Sequence, residues 1–197
     1  MDEFAHLRDP SRDPQALLAR TLSAWGARKD LWVFGYASLI WNPGFDYTER
    51  RVARVYGHHR ALKMWSRINR GTPQTPGLVF ALLAGGSCQG VVFRVPRAQG
   101  ESVLHRLWER EMPTGVYNPH WLQCHTPRGV VQGLGFVLPH GSTNYTGTLS
   151  AQQYRHIFSK ASGRYGSTLD YAHQTDQSLR ALGIHDRALQ QLLAHAP

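Results

Sequence analysis

The 197-residue sequence carries 22 Lys and Arg against 13 Asp and Glu, a formal charge of +9, with 42% hydrophobic and 18% charged residues. That composition is globular, long enough for one domain with its own core, and no apolar run reaches the ~20 residues of a membrane helix, so a disordered chain and a membrane-spanning one are both disfavoured. The positive charge is either a solvated basic surface or an attractor of nucleic acid, an acidic membrane face or a small acidic substrate; without a run of five basic residues, the nucleic-acid reading weakens.

Residues 1–13, with Arg8, Pro10 and Arg12, lack apolar periodicity and are expected as a loose lead-in. The start Met1-Asp-Glu-Phe-Ala-His6 has no basic stretch followed by an apolar one, so no secretory signal is expected and the protein is placed in the cytoplasm. From Pro14 the spacing of Leu17, Leu18, Thr21, Leu22 and Trp25 predicts a helix, with Pro14 in the first turn and Gly26 beyond the end. Residues 1–30 are thus lead-in and helix, and 31–197 the main domain.

Leu31–Tyr36 predicts a buried strand entering a Gly-containing turn, followed by a loop with Asn42, Pro43 and Gly44. Further strands are expected at Val52–Tyr56, Arg60–Trp65, Leu78–Leu83, Gly90–Val95, Trp121–His125 and Val130–Leu138. Helices are expected from about Arg97 to Glu111, Ser150 to Ser162, Thr168 to Leu182, and from Asp186. Because only one helix interrupts the strand series, a mixed, mostly antiparallel sheet is favoured over repeated βαβ units. The fold expected is a single α+β domain with a closed or half-closed, barrel-like sheet and flanking helices.

Eleven histidines are present, but His58 and His59 are adjacent on a strand and no HExxH or HxH grouping occurs, so no metal is expected. Neither GxGxxG nor GxxxxGK[ST] appears, and no nucleotide cofactor is expected. Gly86-Ser-Cys88-Gln-Gly90 has the outline of a nucleophile elbow, yet an elbow needs a strand before and a helix after it. A tight hairpin turn is the reading here. Cys88 and Cys124, the two cysteines, form no CxxC pair and are taken as small buried hydrophobes in a reducing compartment.

In the helix ending at Glu111, Leu104, Leu107 and Trp108 mark the buried stripe, and Glu111 is its next position, whereas Glu109 and Arg110 point elsewhere. A carboxylate on an apolar face is desolvated, and in the last turn it faces the negative end of the helix dipole. Both raise its pKa, as a general base near neutral pH requires. The alternative is a structural Glu111 locked in a buried pair with an arginine. Phe34-Gly-Tyr-Ala-Ser-Leu39 is either an ordinary turn or a cradle of backbone N–H groups for a carboxylate or a developing oxyanion.

Together these segments resemble the ChaC family of γ-glutamylcyclotransferases, whose pattern Val-Phe-Gly-Tyr-Gly-Ser-Leu-Ile-Trp is similar to Val33-Phe-Gly-Tyr-Ala-Ser-Leu-Ile-Trp41. Arg70-Gly-Thr-Pro-Gln-Thr-Pro-Gly-Leu78, Gly85-Gly-Ser-Cys-Gln-Gly-Val91, Arg110-Glu-Met-Pro-Thr-Gly-Val-Tyr117, Asn144-Tyr-Thr-Gly147 and Leu169-Asp-Tyr171 with Leu182-Gly-Ile184 continue the likeness in family order. The resemblance implies a barrel-like α/β fold that breaks glutathione into 5-oxoproline and cysteinylglycine without metal or organic cofactor. It implies Glu111 as the catalytic glutamate, a substrate loop of Gly35, Tyr36, Ala37, Ser38, Leu39 and Ile40, and Tyr117 and Tyr145 lining the site. Ala37 departs from the family's usual Gly and bears on the loop's geometry. Arg67 or Arg70 is the expected partner of the glycine carboxylate. A monomer is expected, acting on a small molecule and not on nucleic acid or membrane. The alternatives are a cyclotransferase for another γ-glutamyl amide and a non-catalytic basic binding module.

Overall fold

The computed structural model describes residues 12–196, so the lead-in expected at 1–13 lies almost wholly outside the described residues. Its last two residues are not loose. Arg12 donates to the carbonyls of Gly115 at 2.6 Å and Tyr117 at 2.8 Å and to Asn118 Oδ1 at 2.6 Å, tying the N-terminal segment to the chain beyond the Glu111 helix. Asp13 then caps helix α1, Pro14–Trp25, by accepting from the Gln15 N–H, and Pro14 occupies a first-turn position where no N–H is missed. Gly26 ends α1 in the left-handed conformation, φ 64°, which costs a residue without Cβ little.

Five strands form the barrel: β1, Leu31–Gly35; β2, Glu49–Ser66; β3, Gly77–Val95; β4, Asn118–Thr126; and β5, Gly129–Val137. Their order around it is β1-β3-β2-β4-β5, antiparallel except where β5 runs parallel to β1 and β3, at Val33↔Leu134 and Leu82↔Val137. This is the mixed, mostly antiparallel barrel expected. On its two faces, inside the barrel and beneath the helices, Leu31, Phe34, Leu62, Leu78, Leu82, Leu83, Phe93, Leu134 and Phe136 are all essentially inaccessible to water. Cys88 and Cys124 are buried free thiols, as read from the sequence.

Two pairs of expected strands are each one long strand. Val52–Tyr56 and Arg60–Trp65 both lie in β2, and Leu78–Leu83 and Gly90–Val95 both lie in β3. The turn expected at Gly86–Gly90 is therefore wrong. The ladder pairs Tyr56 with Ser87 and His58 with Ala84, so Gly57 opposes Gly85 and Gly86, with φ of +77°, +95° and +71°. Glycine there makes a bulge that bends both strands around the barrel instead of reversing the chain. The reversal comes at residues 67–76, between the ends of β2 and β3.

Helix α2, Arg97–Glu111, follows β3, and α1 packs on it, with the Trp108 indole donating to the Pro14 carbonyl at 2.8 Å. Helices α3 (Ala151–Lys160), α4 (Thr168–Ala181) and α5 (Arg187–Leu193) follow the barrel, with the two-residue strands β6, Ser162–Gly163, and β7, Gly166–Ser167, between α3 and α4. Ser150 and Gln153 form a reciprocal capping box on α3, Ser167 caps α4, and Asp186 caps α5. No helix among the described residues is long and apolar enough to cross a membrane.

Candidate active site

β1 delivers the chain to the site. After Gly35 the backbone turns through Tyr36 and Ala37 into a short 3-10 turn, Ser38–Ile40, closed by Ile40 N–H to the Ala37 carbonyl at 2.8 Å and Asn42 N–H to the Ser38 carbonyl at 2.9 Å. The N–H groups of Ser38 and Leu39 open this turn and so have no partner within it. Ala37 sits at φ −145°, outside the left-handed region, so its Cβ is tolerated and glycine is not required here. Ala37→Gly is accordingly expected to change 5-oxoproline release by less than about threefold, with a small loss of stability of ~0.5–1 kcal/mol from added chain freedom. A steady-state assay beside a thermal melt checks this, and a large gain in both would mean that the loop is strained by its alanine.

The loop forms one wall of a cavity of about 670 Å³ whose other walls come from the end of α2, the 64–70 stretch, β5 and α4. Tyr36, Ala37, Ser38 and Leu39 line it, as do Glu111, Tyr117, Arg67 and Arg70. Gly35 and Ile40 are not among the lining residues; they frame the loop from the strand end and the 3-10 turn. Tyr145 is not among them either. Its ring packs against His140, with centroids 5.3 Å apart, and its backbone bridges Met64, which leaves the adjacent Asn144 on the wall.

Glu111 ends α2 and continues the stripe of Leu104, Leu107 and Trp108, which are buried. Its side chain keeps 19% exposure, through the cavity. Burial pushes its carboxyl pKa up, and the neighbouring Arg110 guanidinium partly opposes that shift. Glu109 and Arg110 do not point away as expected from the helical wheel, for both line the same cavity. At the last turn the helix is open on one side, so side chains off the stripe still reach the loop. Arg110 Nε lies 3.0 Å from Glu111 Oε1, Nη1 donates to the Asn42 carbonyl at 2.5 Å, and Nη2 donates to Ser38 Oγ at 3.1 Å. Glu111 therefore pairs with an arginine and also opens onto a cavity.

Three phenols surround the carboxylate. Tyr36 donates its hydroxyl to the Phe136 carbonyl at 3.2 Å, Tyr117 lines the same cavity, and Tyr171 reaches in from α4. Burial, together with repulsion from Glu111, pushes the pKa of each well up, so all three stay neutral donors. Tyr171 was not singled out beforehand. Its T-shaped contact with Trp41, at 5.8 Å, and the Arg70 guanidinium stacked 4.8 Å over its ring make it a central wall residue. The sequence signal was present, since Tyr171 ends the first part of the last family-like block and lies on the buried face of α4.

Arg60 was also missed. It is buried, pairs with Asp186 through Nη2 at 2.5 Å and donates Nη1 to the carbonyls of Tyr36 at 2.7 Å and Gln89 at 3.0 Å. It thereby holds the first residue of the loop from behind. Arg70 is fixed by a turn in which Gly71 and Gly77 meet backbone to backbone: a Cβ on Gly77 would stand 2.0 Å from the Arg70 carbonyl oxygen. Arg67 donates to Asn144 Oδ1 at 2.9 Å. With Arg110 and Arg164 also lining it, the cavity carries more positive than negative charge and suits an anionic ligand. Among the described residues no three His, Cys, Asp or Glu side chains converge as a metal site would.

Known proteins resemble this chain in sequence and in overall fold. The chain is 36% identical over 179 residues to the glutathione-specific γ-glutamylcyclotransferase of Escherichia coli, covering 90% of this chain and 78% of that one. It is 27% identical over 166 residues to γ-glutamylcyclotransferase 2-3 of Arabidopsis thaliana, covering 80% and 83%. The fold superimposes on the crystal structure of the yeast γ-glutamylcyclotransferase specific to glutathione with a TM-score of 0.77 at 22% identity, covering 85% of this chain and 96% of that one. The family described as ChaC-like protein matches residues 31–196, and this chain belongs to the ChaC-like family.

Proposed function

We propose that this protein is a glutathione-specific γ-glutamylcyclotransferase, forming 5-oxoproline and cysteinylglycine with Glu111 as general acid/base. The observation that carries the reading is a carboxylate of raised pKa opening into a cationic cavity opposite the 36–42 loop, in a chain 36% identical to an enzyme of that name. The cavity, at about 670 Å³, falls in the ~300–1,000 Å³ range of small-ligand sites.

The chemistry follows from the substrate. The α-amine of the γ-glutamyl group attacks its own γ-carbonyl, closing a lactam and expelling the amine of cysteinylglycine. Near neutral pH that amine is mostly protonated, so a base must first take its proton, and the leaving amine must receive one. Glu111, buried enough to hold a proton yet open to the cavity, serves in both directions. The N–H groups of Ser38 and Leu39 at the start of the 3-10 turn supply donors for the oxyanion. The neutral hydroxyls of Tyr36 and Tyr117 orient the glutamyl head, and the Arg67 and Arg70 side of the cavity takes the glycine carboxylate. Holding the substrate's amine against its own γ-carbonyl in the cavity removes much of the entropic barrier.

Incubation of the purified protein with glutathione, read by mass spectrometry, is expected to give 5-oxoproline and cysteinylglycine in equal amounts. Oxidised glutathione and γ-glutamyl amines lacking the cysteinylglycine portion are expected to react poorly, because the cavity beyond the γ-carbonyl must fit one cysteinylglycine group: the disulfide keeps its glycine carboxylates but is too bulky, and the simple amines have no carboxylate for the cationic wall to meet. Equal rates across such a panel would transfer the assignment to a broader cyclotransferase, and no 5-oxoproline from any of them would remove it.

A further inference from the structure

Adjacent residues on a helix normally diverge by about 100° and do not share a partner surface. Arg110 and Glu111 break that rule. The Arg110 guanidinium spends its Nε on Glu111, its Nη1 on the Asn42 carbonyl and its Nη2 on the Ser38 hydroxyl, so one planar group joins the end of α2 to the turn after β1. An arginine's donors sit in a rigid fork, and with all three nitrogens engaged the carboxylate is held at a set distance from the loop.

We infer that Arg110 is a positioning residue, which ties the Glu111 carboxylate to the 38–42 turn and favours its ionised form. The inference rests on the reading of Glu111 as the base. Its geometry leaves little else for the role. The groups facing Glu111 from the other elements are the phenols of Tyr36 in the loop, Tyr117 beyond α2 and Tyr171 on α4, all neutral. Arg70 lies over the Tyr171 ring, Arg67 is engaged with Asn144, and Arg164 and Glu109 line the same cavity. Arg110 is the cation in direct contact with the carboxylate and the one whose pull on it is resolved. Without it, desolvation acts on Glu111 unopposed, and the carboxyl would hold its proton to higher pH.

The test has two readouts. In Arg110→Gln the acid limb of kcat/KM for glutathione is expected to move up by about one pH unit, the low end of what an adjacent opposite charge produces. In Arg110→Lys the limb is expected to stay near the wild-type position while KM rises by roughly tenfold, since an ammonium supplies charge but not the three-way fork. The same shift is read without substrate by carbon-13 NMR titration of the Glu111 carboxyl in glutamate-labelled protein, assigned with Glu111→Gln. A Glu111 midpoint that is the same in wild type and Arg110→Gln overturns the inference. So does an Arg110→Lys variant with wild-type KM, which remains decisive if Arg110→Gln gives no folded protein. If wild type releases no 5-oxoproline, the functional reading fails, and the titration still decides whether Arg110 governs this carboxyl.

Discussion

Glu111→Gln is expected to give a folded protein that releases 5-oxoproline about 10²–10⁴-fold more slowly than wild type, the usual consequence of removing a positioned general base. An amide has nearly the same shape and can still accept from Arg110, so Leu104, Leu107 and Trp108 should pack as before. Because burial outweighs Arg110 and raises the folded pKa, the folded state binds the carboxyl proton more tightly than the unfolded chain does. Wild type therefore loses stability as pH rises from the ordinary carboxylate range through the raised folded value. The amide has no such dependence. The Glu111→Gln variant should thus melt at the same temperature as wild type in acid, and at the same or a higher one at neutral pH. Glutathione binding should survive within about tenfold, since the loop and the tyrosines carry it. A folded variant with turnover within a few-fold of wild type would make Glu111 structural.

Arg60→Met is expected to lower stability by about 3 kcal/mol, the low end for breaking a buried ion pair by removing one partner. Arg60 has 3% side-chain exposure and Asp186 16%, so some water can reach the abandoned carboxylate, which is why the upper end is not expected. For a chain of this length that corresponds to roughly 6–12 °C in Tm. The Tyr36 and Gln89 carbonyls lose their buried donor as well. Loosening of the loop should therefore raise KM for glutathione in protein that remains folded at the assay temperature. Making the second site apolar, as in Arg60→Met with Asp186→Leu, removes the stranded charge but also the cap that accepts from Leu189 N–H. Recovery should be partial. A melt of Arg60→Met within about 2 °C of wild type would show that the pair contributes little.

The periodicity and cap residues were enough to read the helices closely. Arg97 to Glu111 was bounded as observed, and α1 begins at Pro14 and is closed by Gly26, as Pro and Gly placement implied. Strand ends were harder. The glycines at 57, 85 and 86 look like turn residues in sequence, because a turn and a bulge both use positive φ. Only the partner strand distinguishes the two, and β2 and β3 are partners through a ladder that runs on past the bulge. Arg110 was misread for a related reason. A helical wheel ranks faces by direction, but at a helix end the loop that packs there is not on the wheel.

By itself, the sequence determined the α+β class, the helix boundaries, the stripe that carries Glu111 inward and, through its ordered motifs, the family. These are local or one-dimensional properties, set by side-chain period, capping chemistry and residue type. The tertiary structure alone decided that Tyr171 and Arg70 stack into one wall and that Arg60 reaches from β2 to Asp186 and the Tyr36 carbonyl. It also set Arg110 between base and loop, and turned Tyr145 off the cavity. Each of these joins residues remote in sequence, and such contacts depend on how the barrel closes and how its bulged strands bend, which no window of neighbouring residues encodes.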